Sequence, residues 1–508
     1  MRSFRLLVSV VVLGTTATAV TPAIRPEAVL EHIKFLASDE LKGRANGEEG
    51  LERAADYIAE QFKAAGLRPG GANNSWFQPF DIEAGMTIGD GNAIEIRSQG
   101  RTVRLMLGSG YYPLAATPND EPAQPSHDYD KLPVVFAGYG ISSPSSNYDD
   151  YAGLDVKGKA VLIFSHEPQE TRRDSRLNGD RPLRETTLNA KAAAAHSRGA
   201  RILMVVSDPS HQVDQADYDG FLAAPDTDDR GIPVLRVRRA EVEALLKGWE
   251  LDRTAAMIER DLLPRSRALT GAEVDYTEFL SRNVRTVRNV VAILPGTDSS
   301  RQDEAIVIGA HYDHVGLGGR YSVSPERTGE VHNGADDNAS GTSAVIEIAK
   351  AAAADPSRFP RSVVFIAFAG EERGLLGSVY YANNPVVPLT RTVAMLNLDM
   401  VGRSNGKVQT SGLERSPSLE SDLVAAAKTA GFPDIGRDGP GAGRSDDASF
   451  LQRKVPSIIF FTGFHGDYHR PGDDWDKIDA PGTARVATLA LELAARIAAR
   501  QERPAFVD

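Results

Sequence analysis

The residues with the widest chemical reach fall into five short stretches of the C-terminal half. They are "HYDH" with His311, Asp313 and His314, "NGADDNASG" with Asp336 and Asp337, "GEERG" with Glu371 and Glu372, "NLDMVG" with Asp399, and "FHGDYHRPGDD" with His465, Tyr468 and His469. Half of the ten histidines, namely His311, His314, His332, His465 and His469, lie in this region. Taken singly, each stretch has an ordinary reading. An acidic pair ahead of a helix serves as its cap, a glutamate pair as a solvated turn, and His-x-Asp as loop polarity. Taken together, they put only histidines and carboxylates at the end of one apolar run after another, which random polarity does not supply. The chain has no cysteine, so a metal here would meet imidazole and carboxylate alone. That donor set suits Zn2+, and less strictly Co2+ or Mn2+. Two imidazoles and three carboxylates fit a pair of ions sharing one bridging carboxylate. Two dications, three carboxylates and a hydroxide sum to zero, which avoids an unpaired buried charge.

A frame must gather these residues at one place. From about Asn289 the chain alternates Val/Ile/Ala-rich runs ("NVVAILPG", "EAIVIGA", "RSVVFIAFAG", "TVAMLNLDMVG", "PSIIFFTG") with helical patterns such as "SGTSAVIEIAKAAAA" and "GTARVATLALELAARIAARQ". Runs that are apolar on both faces and alternate with helices predict an α/β fold with a mixed, mostly parallel sheet sandwiched by helices. Active sites of such sheets gather at the carboxyl ends of the strands, where these residues stand. Upstream, Val29, Leu30, Ile33 and Leu36 have helical spacing. So do Leu51, Ala55, Ile58 and Phe62, with Gly66 as the stop. From about residue 126, shorter strand, turn and helix patterns predict a smaller α/β unit with few residues suited to chemistry.

The bulk numbers agree with a soluble multidomain protein. At 508 residues the chain exceeds one compact core. A formal net charge of -12 argues against a broad nucleic-acid or anionic-membrane surface. The N-terminus, "MRSFRLLVSVVVLGTTATAV", has the basic, apolar and Ala-x-Ala order of a cleavable export signal. A secreted or periplasmic protein follows, with no stable membrane association once the signal is removed.

"GAHYDH", "NGADDNASG", "AGEERGLLGS", "NLDMVG" and "DYHRPGDDWDKI" together resemble the M28 family of zinc exopeptidases, which includes aminopeptidases and glutamate carboxypeptidase. "GYGISSP" and "YDDYAGLDVKGKAVL" resemble the protease-associated (PA) domain that interrupts some members, and the stretch from Leu36 to Gly71 resembles their N-terminal segment. With the export signal at 1-19, the resemblance implies an N-terminal part of the peptidase domain at 20-125, a PA insertion at 126-265 and the catalytic domain at 266-508. It implies two Zn2+, with His311 and Asp399 on one, Glu372 and His469 on the other, and Asp337 bridging, often ahead of a cis peptide. Asp313 would orient the His311 ring, Glu371 would be the general base, and Tyr468 would stabilise the oxyanion. Where many members read "SDHASF", this chain has "RSDDASF", with Asp447 at the His position; Arg444 just before it is a candidate for gripping substrate. The implied activity is hydrolysis of peptide substrates, as an aminopeptidase. A carboxypeptidase for acidic C-termini would need an arginine cluster, a receptor or scaffold would have lost ligands, and a one-zinc cyclase would lack part of the second site.

Overall fold

The computed structural model describes residues 24–115, 124–177, 183–211, 230–324, 327–437 and 439–508. The expected signal at 1-19 lies outside them. The chain forms two compact units, one running up to Ile82 and resuming from Thr286 to Asp508, the other spanning Glu83–Arg285.

The first unit is built on an eight-stranded mixed sheet. Its centre is parallel, in the order Ser362–Phe368, Ala305–His311, Thr392–Leu398, Ser457–Phe461. Antiparallel strands flank it, Leu280–Leu294 on one side and Gln409–Ser411 on the other. Every residue of the four parallel strands is buried, as the continuous apolar runs require of a sheet covered on both faces. Alternation sorts their side chains between two cores. Ile306, Ile308, Val363, Phe365, Leu396 and Leu398 pack with helices Pro26–Leu36, Glu49–Ala64, Gly341–Ala354 and Ala480–Ala499. Val307, Val364, Ile366, Phe368 and Met395 face Tyr381 and Phe450. The two N-terminal helices form where the spacing predicts, and Gly66 adopts φ +78° beyond the second. Of the residues read as the first helix's buried stripe, Leu30 is only partly buried, and His32 is buried in its place.

The second unit has its own eight-stranded sheet, in the order Arg101–Met106, Ala93–Ser98, Arg267–Glu278, His127–Phe136, Ala160–Phe164, Ile202–Val206, Val234–Val237, Tyr111–Ala115. Its seams stand at 83 and 285 rather than at the expected 126 and 265. The reason is pairing. Ala93–Ser98 is antiparallel to Arg267–Glu278, and Tyr111–Ala115 to Val234–Val237, so sequence on both sides of the expected insertion belongs to this sheet. The "GYGISSP" turn wraps a buried carboxylate. Asp150 Oδ2 accepts the backbone N–H groups of Tyr139 (3.0 Å) and Ile141 (3.1 Å), and Tyr148 donates its hydroxyl to Oδ1 (3.0 Å). Gly138, at φ +51°, lies so close that an added Cβ would stand 2.2 Å from Asp150 Oδ1.

Candidate active site

The four central strands are parallel, so their carboxyl ends lie on one edge of the sheet, and the register aligns His311 with Phe368. His311 ends its strand, Glu371 and Glu372 follow the next by a short Ala-Gly step, Asp399 follows Leu398, and the loop after Phe461 carries His469. Asp337 comes from the irregular segment Ala335–Ser340 that leads into the Gly341 helix, with a cis peptide between Asp337 and Asn338. Asn338 fastens this segment to the neighbouring strand. Its amide donates to Leu398 O (3.0 Å), and its carbonyl accepts from Gly341 N–H (3.0 Å) and Met400 N–H (3.2 Å).

The side chains form two groups that meet at one carboxylate. Asp337 Oδ1 is 3.3 Å from His311 Nε2, and Asp337 Oδ2 is 3.1 Å from His469 Nε2. Asp399 Oδ1 is 3.5 Å and Glu371 Oε2 3.9 Å from His311 Nε2. Glu372 Oε2 is 3.0 Å from His469 Nε2. Donors bound tetrahedrally at about 2.0–2.1 Å from one ion stand about 3.3–3.4 Å apart, and the separations among His311, Asp337, Asp399, Glu372 and His469 are compatible with that. The tautomers agree. His311 Nδ1 donates to Asp313 O (3.2 Å) and His469 Nδ1 to Tyr321 O (2.7 Å), so that in each ring Nε2 faces the carboxylates and is the nitrogen whose lone pair a metal would meet once its proton has left. The residues therefore fit a pair of divalent cations with nitrogen and oxygen donors.

Electrostatics point the same way. Four carboxylates converge in a mostly buried pocket, which leaves a strong demand for positive charge. Burial works against charge on the imidazoles, yet Glu371 and Asp399 raise His311 well above its ordinary range. Contacts with Asp337 and Glu372 push His469 up to about 11 in the same way. Glu371 behaves differently from its neighbour. Burial, reinforced by Glu372 and Asp399 against the pull of His311, holds its carboxyl well above the carboxylate range. Glu372 falls below that range despite burial, through hydrogen bonds to His314 and His469. The Tyr468 ring stacks on His469 at 4.0 Å between centroids, and burial together with Asp337 and Glu372 raises its phenol far above the ordinary value, so it stays protonated.

Several residues have roles that sequence alone did not supply. The carboxylate of Asp313, expected to orient His311, is 3.6 Å from that ring, and its close contacts are elsewhere. Oδ1 accepts Glu371 N–H (3.1 Å), while Oδ2 accepts Glu372 N–H (3.2 Å) and the Asn46 amide (2.7 Å). Asp336, expected as a helix cap, instead accepts Gly402 N–H (2.5 Å) and the Ser340 hydroxyl (3.0 Å) and faces His465 Nε2 at 3.2 Å. Asp473 Oδ2 accepts both Asp336 N–H (2.9 Å) and Asp337 N–H (3.1 Å). His314 is 1% exposed, and its Nδ1 lies 2.8 Å from Glu372 Oε1. Arg44 is fully buried and donates to the carbonyls of Leu36, Tyr312 (2.7 Å), Asn333 (2.7 Å) and Gly334 (3.0 Å). Asp447 is buried and accepts Gly443 N–H (2.7 Å) and Ser445 N–H (3.2 Å), a loop-holding role. Arg444 is exposed and forms no ion pair among the described residues.

A model of Peptidase family M28 matches residues 289–494, a segment that contains every one of the clustered ligand candidates. Aminopeptidase YwaD of Bacillus subtilis is 26% identical over 422 residues, 80% of this chain and 74% of that protein. A probable lipoprotein aminopeptidase, LpqL of Mycobacterium tuberculosis, is 24% identical over 502 residues, 91% of this chain and 83% of its own length. Among solved structures, an aminopeptidase from Aneurinibacillus sp. strain AM-1 superposes with a TM-score of 0.57 at 22% identity, covering 96% of this chain and 97% of that one. The zinc aminopeptidase BSAP from Bacillus subtilis gives 0.54 at 21% identity, covering 93% and 94%. The architecture of the sheet is that of the zinc exopeptidase fold, and the segment 289–494 that carries the clustered residues matches peptidase family M28.

Proposed function

We propose that this chain is an aminopeptidase that holds two zinc ions and releases N-terminal residues from peptides. The observation that carries the reading is the division of Asp337, one oxygen toward His311 and the other toward His469. His311 and Asp399 would hold one ion, Glu372 and His469 the other, with Asp337 shared between them. Bound zinc supplies Lewis acidity that makes water a nucleophile near neutral pH. Glu371, whose carboxyl sits high, takes the proton from the attacking water and delivers it to the leaving amine. The protonated Tyr468 phenol donates to the oxygen that gains charge on the scissile carbonyl. A C-terminal carboxylate would need free arginines to grip it. Two arginines of the site's framework are already committed, Arg44 to four carbonyls and Arg403 to Asp467 and Asp473. The aminopeptidases among its relatives support the same choice. Export through the N-terminal signal and a PA-like identity for the inserted unit complete the proposal. Among the described residues, no helix is long and apolar enough to cross a membrane.

The test uses the adjacent glutamates. Glu371→Gln is expected to abolish hydrolysis of aminoacyl-anilides with full zinc retained, and Glu372→Gln to lose zinc as well. Equal behaviour of the two variants with zinc intact would sink the division of labour. Cleavage of peptides only from the C-terminus would sink the aminopeptidase reading.

A further inference from the structure

We propose that the inserted unit carries a further site for a divalent metal of the zinc class, held by His166, Glu170 and His211. Strands Ala160–Phe164 and Ile202–Val206 are adjacent and parallel, with Phe164 beside Val206. Their carboxyl ends run out together, into "SHEPQE" and "SDPSH", at the kind of edge where open α/β sheets bind ligands. Ser165 N–H donates to Val206 O (2.8 Å), and the Ser165 hydroxyl contacts Asp208 Oδ2 (3.3 Å), tying the two loops. Glu170 Oε2 then lies 3.3 Å from His166 Nδ1 and 3.4 Å from His211 Nε2. One oxygen faces one ring nitrogen of each histidine.

The other nitrogen of His211 is already committed. Its Nδ1 is 2.9 Å and 3.0 Å from the two oxygens of Asp208, whose side chain is only 4% exposed. A carboxylate on Nδ1 fixes the tautomer that offers Nε2 as a lone pair, the arrangement found behind metal-bound histidines. That lone pair then faces an acceptor oxygen, and a cation between them resolves the conflict. The two rings stack at 4.0 Å between centroids, nearly parallel at 6°. The loop is pinned around the ligands. Lys191 Nζ donates to His166 O, and Glu259 receives Gln169 N–H (2.7 Å) and the Gln169 amide at its backbone oxygen (2.9 Å). Sharing one ion asks the rings to tilt, which side chains 41% and 40% exposed can do. Two imidazoles and one carboxylate leave coordination open to solvent.

The experiment measures zinc and Co2+ binding to the full chain by chelator competition. Wild type is compared with His166→Asn/His211→Asn, both as such and on a His311→Asn/His469→Asn background that disables the peptidase cluster. The expected result is one equivalent fewer in the double variant on either background, whatever the stoichiometry of the peptidase cluster. Asp208→Asn is expected to weaken that equivalent by at least about 10-fold. Glu170→Gln serves as an independent ligand variant, with circular dichroism checking the fold. Identical stoichiometry and affinity in wild type, the histidine variants and Glu170→Gln would overturn the proposal.

Discussion

Asp313→Asn tests the physical basis of the site without touching a proposed ligand. Asp313 is fully buried, and three donors converge on its two oxygens: Glu371 N–H at 3.1 Å, Glu372 N–H at 3.2 Å and the Asn46 amide at 2.7 Å. Asparagine offers one acceptor oxygen. Placed at the Oδ2 position, it keeps Glu372 and Asn46 but turns its own NH2 against Glu371 N–H. Placed at Oδ1, it opposes two donors, so the first orientation wins. The cost is one buried N–H left unsatisfied, about 1–3 kcal/mol, plus about 1 kcal/mol for each of the two bonds that lose charge assistance. The total is about 3–5 kcal/mol, concentrated on the backbone of the glutamate pair. Metal affinity, read by chelator competition, is expected to fall about 10–100-fold, and kcat to fall more than KM rises. Asn46→Ala removes one donor while the carboxylate stays, and should cost about 1 kcal/mol. An Asp313→Asn protein with wild-type metal affinity and a urea stability within about 0.5 kcal/mol of wild type would refute the reasoning.

Tyr468→Phe is expected to lower kcat about 10²–10³-fold with little change in KM, as loss of one oxyanion donor does; steady-state kinetics check it. Metal binding at neutral pH should release two or more protons, because both His311 and His469 sit above their ordinary range in the metal-free protein and must deprotonate to ligate. Calorimetry in buffers of different ionisation enthalpy counts them, and uptake of zinc without proton release would contradict the assigned ligands. Asp150→Asn should flatten a pH slope in stability. Burial pushes that carboxyl from 3.8 up to about 7, so its contribution is full below about pH 4 and is lost as pH rises through 7, by about 4 kcal/mol; urea midpoints between pH 4 and 8 for the two proteins give the difference.

The chemistry was legible in the sequence because the fold repeats one geometric act. Parallel strands end on the same edge, so residues just past several apolar runs become neighbours, and His311, Glu371, Glu372 and Asp399 could be read from position alone. What stayed hidden was whatever depends on partners far along the chain. Arg44 and Asn46 lie in "GRANG", which reads as a glycine-rich loop, yet Asn46 meets Asp313 and Arg44 meets the carbonyls of Asn333 and Gly334. The seams of the inserted unit were misplaced because Ala93–Ser98 finds its partner at Glu273–Thr277, and pairing over that separation leaves no local pattern. His166 and His211 were passed over for the same reason, since each is a lone histidine until the two strand ends are set side by side.

One device serves both acidic pairs. Asp313 receives the consecutive N–H groups of Glu371 and Glu372, and Asp473 receives those of Asp336 and Asp337. A carboxylate behind two successive amides fixes the backbone of the pair. The two side chains of each pair are then free to diverge. Glu372 turns to His469 while Glu371 lies toward His311, and Asp337 spans the two imidazoles while Asp336 pairs with His465. The device adds negative charge behind a pocket that is already negative, and the fold answers from the far side. Arg403 meets Asp473 at 3.0 Å. Arg44, lowered by burial to about 10 and so still charged at neutral pH, donates to Tyr312 O beside one holding aspartate and to Gly334 O beside the segment held by the other. Positive charge is thereby fixed behind the pocket and left unsupplied in front of it, where the carboxylates that face His311 and His469 remain to be neutralised by metal.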